Sequence, residues 1–196
     1  MRRLLIFFTA AFLLTVTHAN AQELIYGLKG GLNVSKLHVS SDGDGNVSSD
    51  SKVNVVLGGY LQTPFTSSIS NLIFQPELLL SFEGGKTGGV KINTTFINAP
   101  LLAKYYLMED KGFYLEAGPQ LSLLLSSKVK VDGESEDSTD ELNRFGLGFG
   151  FGLGYELDNG IGFDVRYNLG LTKLNENDGD FDMTGRTFQF TVSYRL

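Results

Sequence analysis

Nine ionisable residues, Lys29, Glu77, Glu83, Lys104, Glu116, Glu156, Asp164, Arg166 and Arg195, fall on one parity of segments whose other parity is bulky and apolar. Neighbouring carboxylates can do general acid–base chemistry when their surroundings drive their proton affinities apart. Alternation along extended segments has a simpler cause: it lines the inner wall of a closed sheet. An isolated ion there costs more than folding can spare, so four cations and five carboxylates predict a salt-bridge network plugging the lumen. The competing reading is a charged, narrow pore or transporter for small solutes or ions, carried by Lys29, Lys104, Arg166 and the opposed carboxylates. An interior about eight strands wide is just filled by side chains, which favours the plug. No catalytic residue is assigned.

Two other groups of residues invite chemistry. His38, the only histidine beyond the N-terminal leader, precedes Ser40, Ser41 and Asp42. That set contains the residue types of a lipid-modifying enzyme at a barrel rim, but nothing in the spacing fixes a nucleophile–base geometry. Asp42-Gly43-Asp44-Gly45-Asn46 has the 1-3-5 start of a calcium loop, yet lacks the glycine at position six and has Val53 where the bidentate Glu belongs. Asp178, Asp180 and Asp182 are also spaced by two. Solvated acidic loops account for both runs, and neither a metal nor a cofactor is expected. Cysteine is absent, which excludes disulfides, thiolate metal sites and cysteine nucleophiles.

The elements that must position these residues are strands. From Phe145 to Leu157 the chain reads FGLGFGFGLGYEL: one parity is Phe, Leu or Tyr throughout, and the other is glycine up to Glu156. A two-residue period with such unlike faces marks a strand, and its length suits a tilted bilayer crossing of ~9–11 residues with overhang. Glycine is poor inside soluble strands but suits the crowded inside of a narrow barrel. Seven further segments alternate: 24–36, 53–63, 72–83, 96–107, 113–126, 161–172 and 187–196. Pro76 lies within the third, where the missing N–H predicts a bulge. On the fifth, Ser122 and Ser126 fall on the inward parity. The connections 38–52, 84–93, 128–142 and 173–185 are long and polar, whereas 64–71, 108–112 and 158–160 are short. Long loops at one end and short turns at the other match an outer-membrane barrel with both termini in the periplasm. A soluble lipocalin-like barrel also alternates, but its bulky face would have to fit inside eight strands.

Arg2 and Arg3, the apolar run Leu4 to Val16 and Ala19-Asn20-Ala21 form a bacterial secretory signal, with maturation expected before Gln22. The run is too short for a spanning helix. Residues 1–21 are therefore read as a cleavable signal peptide and 22–196 as one barrel domain. Net charge is −6, which argues against nucleic-acid binding. Tyr26, Phe65, Phe74, Phe82, Tyr105, Phe113, Tyr155, Phe163, Tyr167 and Tyr194 stand near strand ends, as interfacial girdles require.

The segments NAPLLAKYYL (Asn98 to Leu107), FYLEAGPQLSLLLS (Phe113 to Ser126) and the terminal FTVSYRL resemble the PorT-like outer-membrane β-barrel family of Bacteroidota. That resemblance implies an OmpA- or OmpX-like, eight-stranded antiparallel transmembrane up-and-down barrel and assigns almost no activity. The final FQFTVSYRL resembles the signal read by the barrel-insertion machinery, although it ends in Leu196 rather than an aromatic residue. A monomer in the bacterial outer membrane is expected, in contact with lipid and lipopolysaccharide. Its role is expected to be structural, adhesive or within a surface or secretion assembly, engaging envelope or secretion proteins through the outer loops.

Overall fold

A computed structural model describes residues 24–41, 45–65, 69–87, 89–108, 112–131, 134–137, 143–173 and 181–196. The signal segment and Asp42, Asp44, Asp178 and Asp180 lie outside these residues. The strands are β1 (Ile25–Ser41), β2 (Gly45–Ser48), β3 (Lys52–Pro64), β4 (Leu72–Thr87), β5 (Val90–Tyr106), β6 (Gly112–Val131), β7 (Glu134–Asp137), β8 (Phe145–Glu156), β9 (Ile161–Gly170) and β10 (Phe181–Arg195). Eight of them pair antiparallel in the order β10-β9-β8-β6-β5-β4-β3-β1, and β1 closes the ring on β10 from Gly27↔Arg195 to Ser41↔Phe181. The remaining two, β2 and β7, are short return strands on β1 and β6. No helix among the described residues is long and apolar enough to cross a membrane. The crossing is made by strands, whose backbone groups satisfy one another around a closed sheet.

The faces are inverted relative to a soluble barrel. Every large residue of the β8 stripe is exposed on the outside, from Phe145 to Tyr155, and the inner positions of the same strand are glycine down to the buried Glu156. Two of these glycines accommodate specific neighbours. A Cβ at Gly154 would stand 2.3 Å from the Tyr114 ring on the paired strand, and one at Gly152 would stand 2.5 Å from the Val165 carbonyl and 3.2 Å from the Arg166 Cβ. The glycine stripe is thus the wall against which Tyr114 and Arg166 fold inward.

Several sequence expectations are corrected. Among the described residues the four polar connections contain strand, because β1, β4, β5, β6 and β10 run on past the apolar belt and β2 and β7 turn back on β1 and β6. Cross-strand hydrogen bonds need no apolar face, so hydrophobic alternation could not mark these extensions. Pro76 makes no bulge. The β3–β4 ladder lapses between Tyr60↔Glu77 and Thr63↔Phe74 and resumes in the same register, with Gln62 Nε2 donating to Gln75 Oε1 at 2.8 Å beside the gap. The register shift lies instead at Thr95/Phe96, where Phe96 pairs with Leu124 and Thr95 with Ser126. One extra residue on β6 flips the face, so Ser127 rather than Ser126 is buried inside.

The start of β1, the end of β10 and the three short turns share one end of the barrel, here the terminal end; the long hairpins mark the other, the hairpin end. The tightest turn places Gly160 at φ 86°, with Gly160 N–H donating to the Leu157 carbonyl and Ile161 N–H to Asn159 Oδ1. This is the backbone that the Asn-Gly pair anticipates. At the terminal end Phe113 and Tyr155 meet edge to face at 4.7 Å, and farther along the outside Tyr167 packs against Phe151 and Phe188.

Candidate functional site

The lumen is built in three storeys, each supplied by the inner parity of several strands. At the terminal end Glu156 is the hub. Its Oε2 accepts from Tyr106 Oη at 2.6 Å and Lys104 Nζ at 3.1 Å, and its Oε1 accepts from Arg195 Nη1 at 3.1 Å. The Lys104 ammonium also stands 3.8 Å from the centroid of the Tyr114 ring. Two cations here share one carboxylate, with an aromatic face stabilising the surplus charge.

The middle storey is a buried ionic knot. Arg166, 0% exposed, forks onto Glu77 at 2.8 and 3.0 Å and gives its Nε–H to Glu116 Oε1 at 2.7 Å. Lys29 donates to Glu77 at 2.8 Å and to Asp164 at 3.3 Å. Thr191 and Gln75 complete the shell, donating to Asp164 Oδ2 at 2.6 Å and Glu77 Oε1 at 2.7 Å. Planar bidentate geometry is what makes arginine suited to this position. Two cations face three carboxylates in this storey, and Glu116 Oε2 has no partner.

Above the knot the inner wall turns apolar and then neutral. Leu79 stands between Glu77 and Ser81 on the inner face of β4, and Val56, Phe96 and Leu124 are buried level with Ser81 on β3, β5 and β6. Beyond them lies Glu83, apart from the other eight ionisable residues. Its Oε1 accepts from Ser81 Oγ at 2.8 Å and Asn98 Nδ2 at 3.2 Å, and its Oε2 accepts from Thr187 Oγ1 at 3.1 Å. Glu83 has no ion pair among the described residues. It borders a cavity of about 60 Å³, walled on one side by Gly146, Gly148 and Gly170.

Inner parity locates all nine ionisable residues but not their partners. The residues that sequence reading left out of the network are Tyr106, Tyr114, Gln75, Asn98, Thr187 and Thr191. Parity was the available signal for each, and charge alone was too narrow a filter. His38 lies on the β1 extension, paired with Thr184 on one side and Ser48 on the other. The calcium-like aspartates other than Asp182 are outside the described residues, and Asp182 belongs to β10. Among the described residues no three His, Cys, Asp or Glu side chains gather as a metal site.

Known structures of the same architecture are similar to this one. Ail, the attachment invasion locus protein of Yersinia pestis, aligns over 89% of this chain and 99% of its own, with 16% identity and a TM-score of 0.51. Neisserial surface protein A aligns over 87% of this chain and 97% of its own, with 15% identity and a TM-score of 0.54. At such identity the likeness speaks for fold alone. No curated protein matches in sequence. The family model described as outer membrane protein beta-barrel domain matches residues 20–176, and with the inverted faces and closed ring this decides location as well as fold. The chain belongs to the outer membrane protein beta-barrel domain family and resides in the bacterial outer membrane.

Proposed function

We propose that this protein is a non-enzymatic surface barrel with a closed lumen, acting in adhesion, envelope structure or a surface assembly through its hairpins. The observation that carries this reading is the Arg166 knot: a guanidinium shared by Glu77 and Glu116 occupies the middle of an eight-stranded interior and is fully buried. Four hairpins built from extended strands offer the surface on which a partner would dock. Ail is named as an attachment protein, which agrees with this role. The finer kinship is to PorT-like barrels of Bacteroidota, with lipopolysaccharide around the belt, the insertion machinery reading β10, and envelope or secretion proteins as partners of a monomer.

A narrow pore is the second reading, favoured by the cavity at the hairpin end and the unpartnered Glu116 Oε2. Conductance of the refolded mature chain in a planar bilayer decides between them, measured beside a variant carrying Glu116→Gln and Glu156→Gln. Silence in the wild type is expected. A stable wild-type current whose ion selectivity shifts in the variant overturns the closed-lumen reading. A rim enzyme built on His38 is tested by His38→Ala, with unchanged lipid profiles expected.

A further inference from the structure

Just past the apolar belt at the hairpin end, basic residues face one another across the ladder. Lys86 on β4 pairs with Lys91 on β5, and Lys91 pairs with Lys130 on β6, which sets three cations side by side on adjacent strands. Lys36 on β1 pairs in the same way with Arg186 on β10. All five residues are exposed. Parity turns them outward: Lys36 lies between the buried Ser35 and Leu37, Arg186 follows on from the buried Thr187, and Lys91 and Lys130 are an odd step from the buried Thr94 and Ser127. Lys86 shares the face of its partner Lys91.

Like charges directly opposite one another destabilise a sheet. Among the described residues no ion pair relieves these, and Asp50, bridged to Lys86 through the backbone, forms no salt bridge with it. Lys52 at the start of β3 adds to the imbalance. Its Nζ donates to Asn93 Oδ1, and partial burial followed by the charges of Lys86, Lys130 and Lys91 holds its ammonium below the ordinary lysine value. The collar runs from β10 through β1, β3, β4 and β5 to β6, on a chain whose net charge is −6. Phe188, Val34 and Phe82 are the outward apolar residues just below Arg186, Lys36 and Lys86, so the collar rises directly from the belt. A partner docked on one side would meet a patch, whereas the lipid layer around the barrel meets a collar.

We propose that this collar binds the phosphate groups of the lipopolysaccharide surrounding the barrel, with Lys86, Lys91 and Lys130 clasping one headgroup and Lys36 and Arg186 another. The inference rests on the surface-barrel reading for its orientation, with the hairpins outside the cell. A phosphate accepts from several charged donors at once, and its own charge cancels their repulsion. Anionic headgroups hold lysine and arginine beside a membrane surface for the same reason.

The test is equilibrium binding of lipopolysaccharide to the refolded mature barrel in zwitterionic detergent. The comparison probes are the same lipid stripped of its phosphates, inorganic phosphate, and dextran sulfate as a soluble polyanion. Lipopolysaccharide should bind, and removing its phosphates should weaken binding by about tenfold or more. The triple variant Lys86→Gln, Lys91→Gln, Lys130→Gln should lose as much. Unfolding midpoints give a readout that a merely structural role would not move. In zwitterionic bilayers the triple variant should match or exceed the wild type, because the repulsion is gone. In bilayers containing lipopolysaccharide that order should reverse. Absence of lipopolysaccharide binding, equal binding of the phosphate-free lipid, unchanged affinity in the triple variant, or one midpoint order in both bilayers would each overturn the proposal. Tighter binding of inorganic phosphate or dextran sulfate would overturn it as well, by assigning the collar to a soluble anion. Conductance, which decides the closed-lumen reading, is measured separately, so failure of one leaves the other intact.

Discussion

The middle and the hairpin end of the lumen are lined by the same strands, yet they solve the burial of charge in opposite ways. In the middle, Lys29, Glu77, Glu116, Asp164 and Arg166 neutralise one another directly. A few residues along the same inner faces, β1 presents Asn33, β6 Gln120, and β9 Asn168, while Glu83 on β4 is held by neutral donors. An ionic knot is rigid and closes the interior, since each member loses a great deal if its partner leaves. An amide-lined cavity gives up that stability and leaves space beside the carboxylate. Leu79 keeps the two apart on β4.

Breaking the knot should have the largest effect. Arg166→Met leaves Glu77 and Glu116 buried without their shared partner and should cost about 3–5 kcal/mol, read as a lowered urea midpoint or failure to refold. Arg166→Lys should fall between, because an ammonium cannot fork onto Glu77 and reach Glu116 together. Gly152→Ala tests the wall behind the knot. Its methyl meets the Val165 backbone, and a destabilisation of about 1–3 kcal/mol is expected in the same assay. Glu156→Gln at the terminal end should cost about 1–3 kcal/mol, since Arg195 is partly solvated there but Lys104 is not. Glu83→Gln should be the mildest, below about 1 kcal/mol, because a carboxamide oxygen still accepts from the same neutral donors. A double-mutant cycle sharpens the contrast: Arg166 and Glu77 should couple strongly, and Arg166 and Glu83 should be additive within about 0.5 kcal/mol. Strong coupling of Arg166 to Glu83 would show that the apolar layer does not separate the storeys.

The eight crossings were legible because lipid and lumen impose opposite demands on alternate residues, and Phe145 to Glu156 displays both without interruption. The strand extensions beyond the belt were not, since both faces of a polar hairpin meet water and the alternation fades. The bulge opposite Thr95/Phe96 was hidden for another reason: β6 carries leucine or serine on either side of it, so Ser126 and Ser127 could exchange faces without disturbing the pattern. Pro76 misled because a lost N–H can be absorbed as a gap in the ladder and need not shift the register.

By itself the sequence determined which side chains enter the lumen wherever no bulge intervenes, because the face of a strand residue then depends only on parity and on what the two solvents tolerate. It could not determine that Arg166 would meet Glu77, 89 positions away, or that Glu83 would be left to neutral donors. Height inside a barrel depends on strand tilt, stagger and each bulge between two residues, and these quantities exist only once β1 has closed on β10.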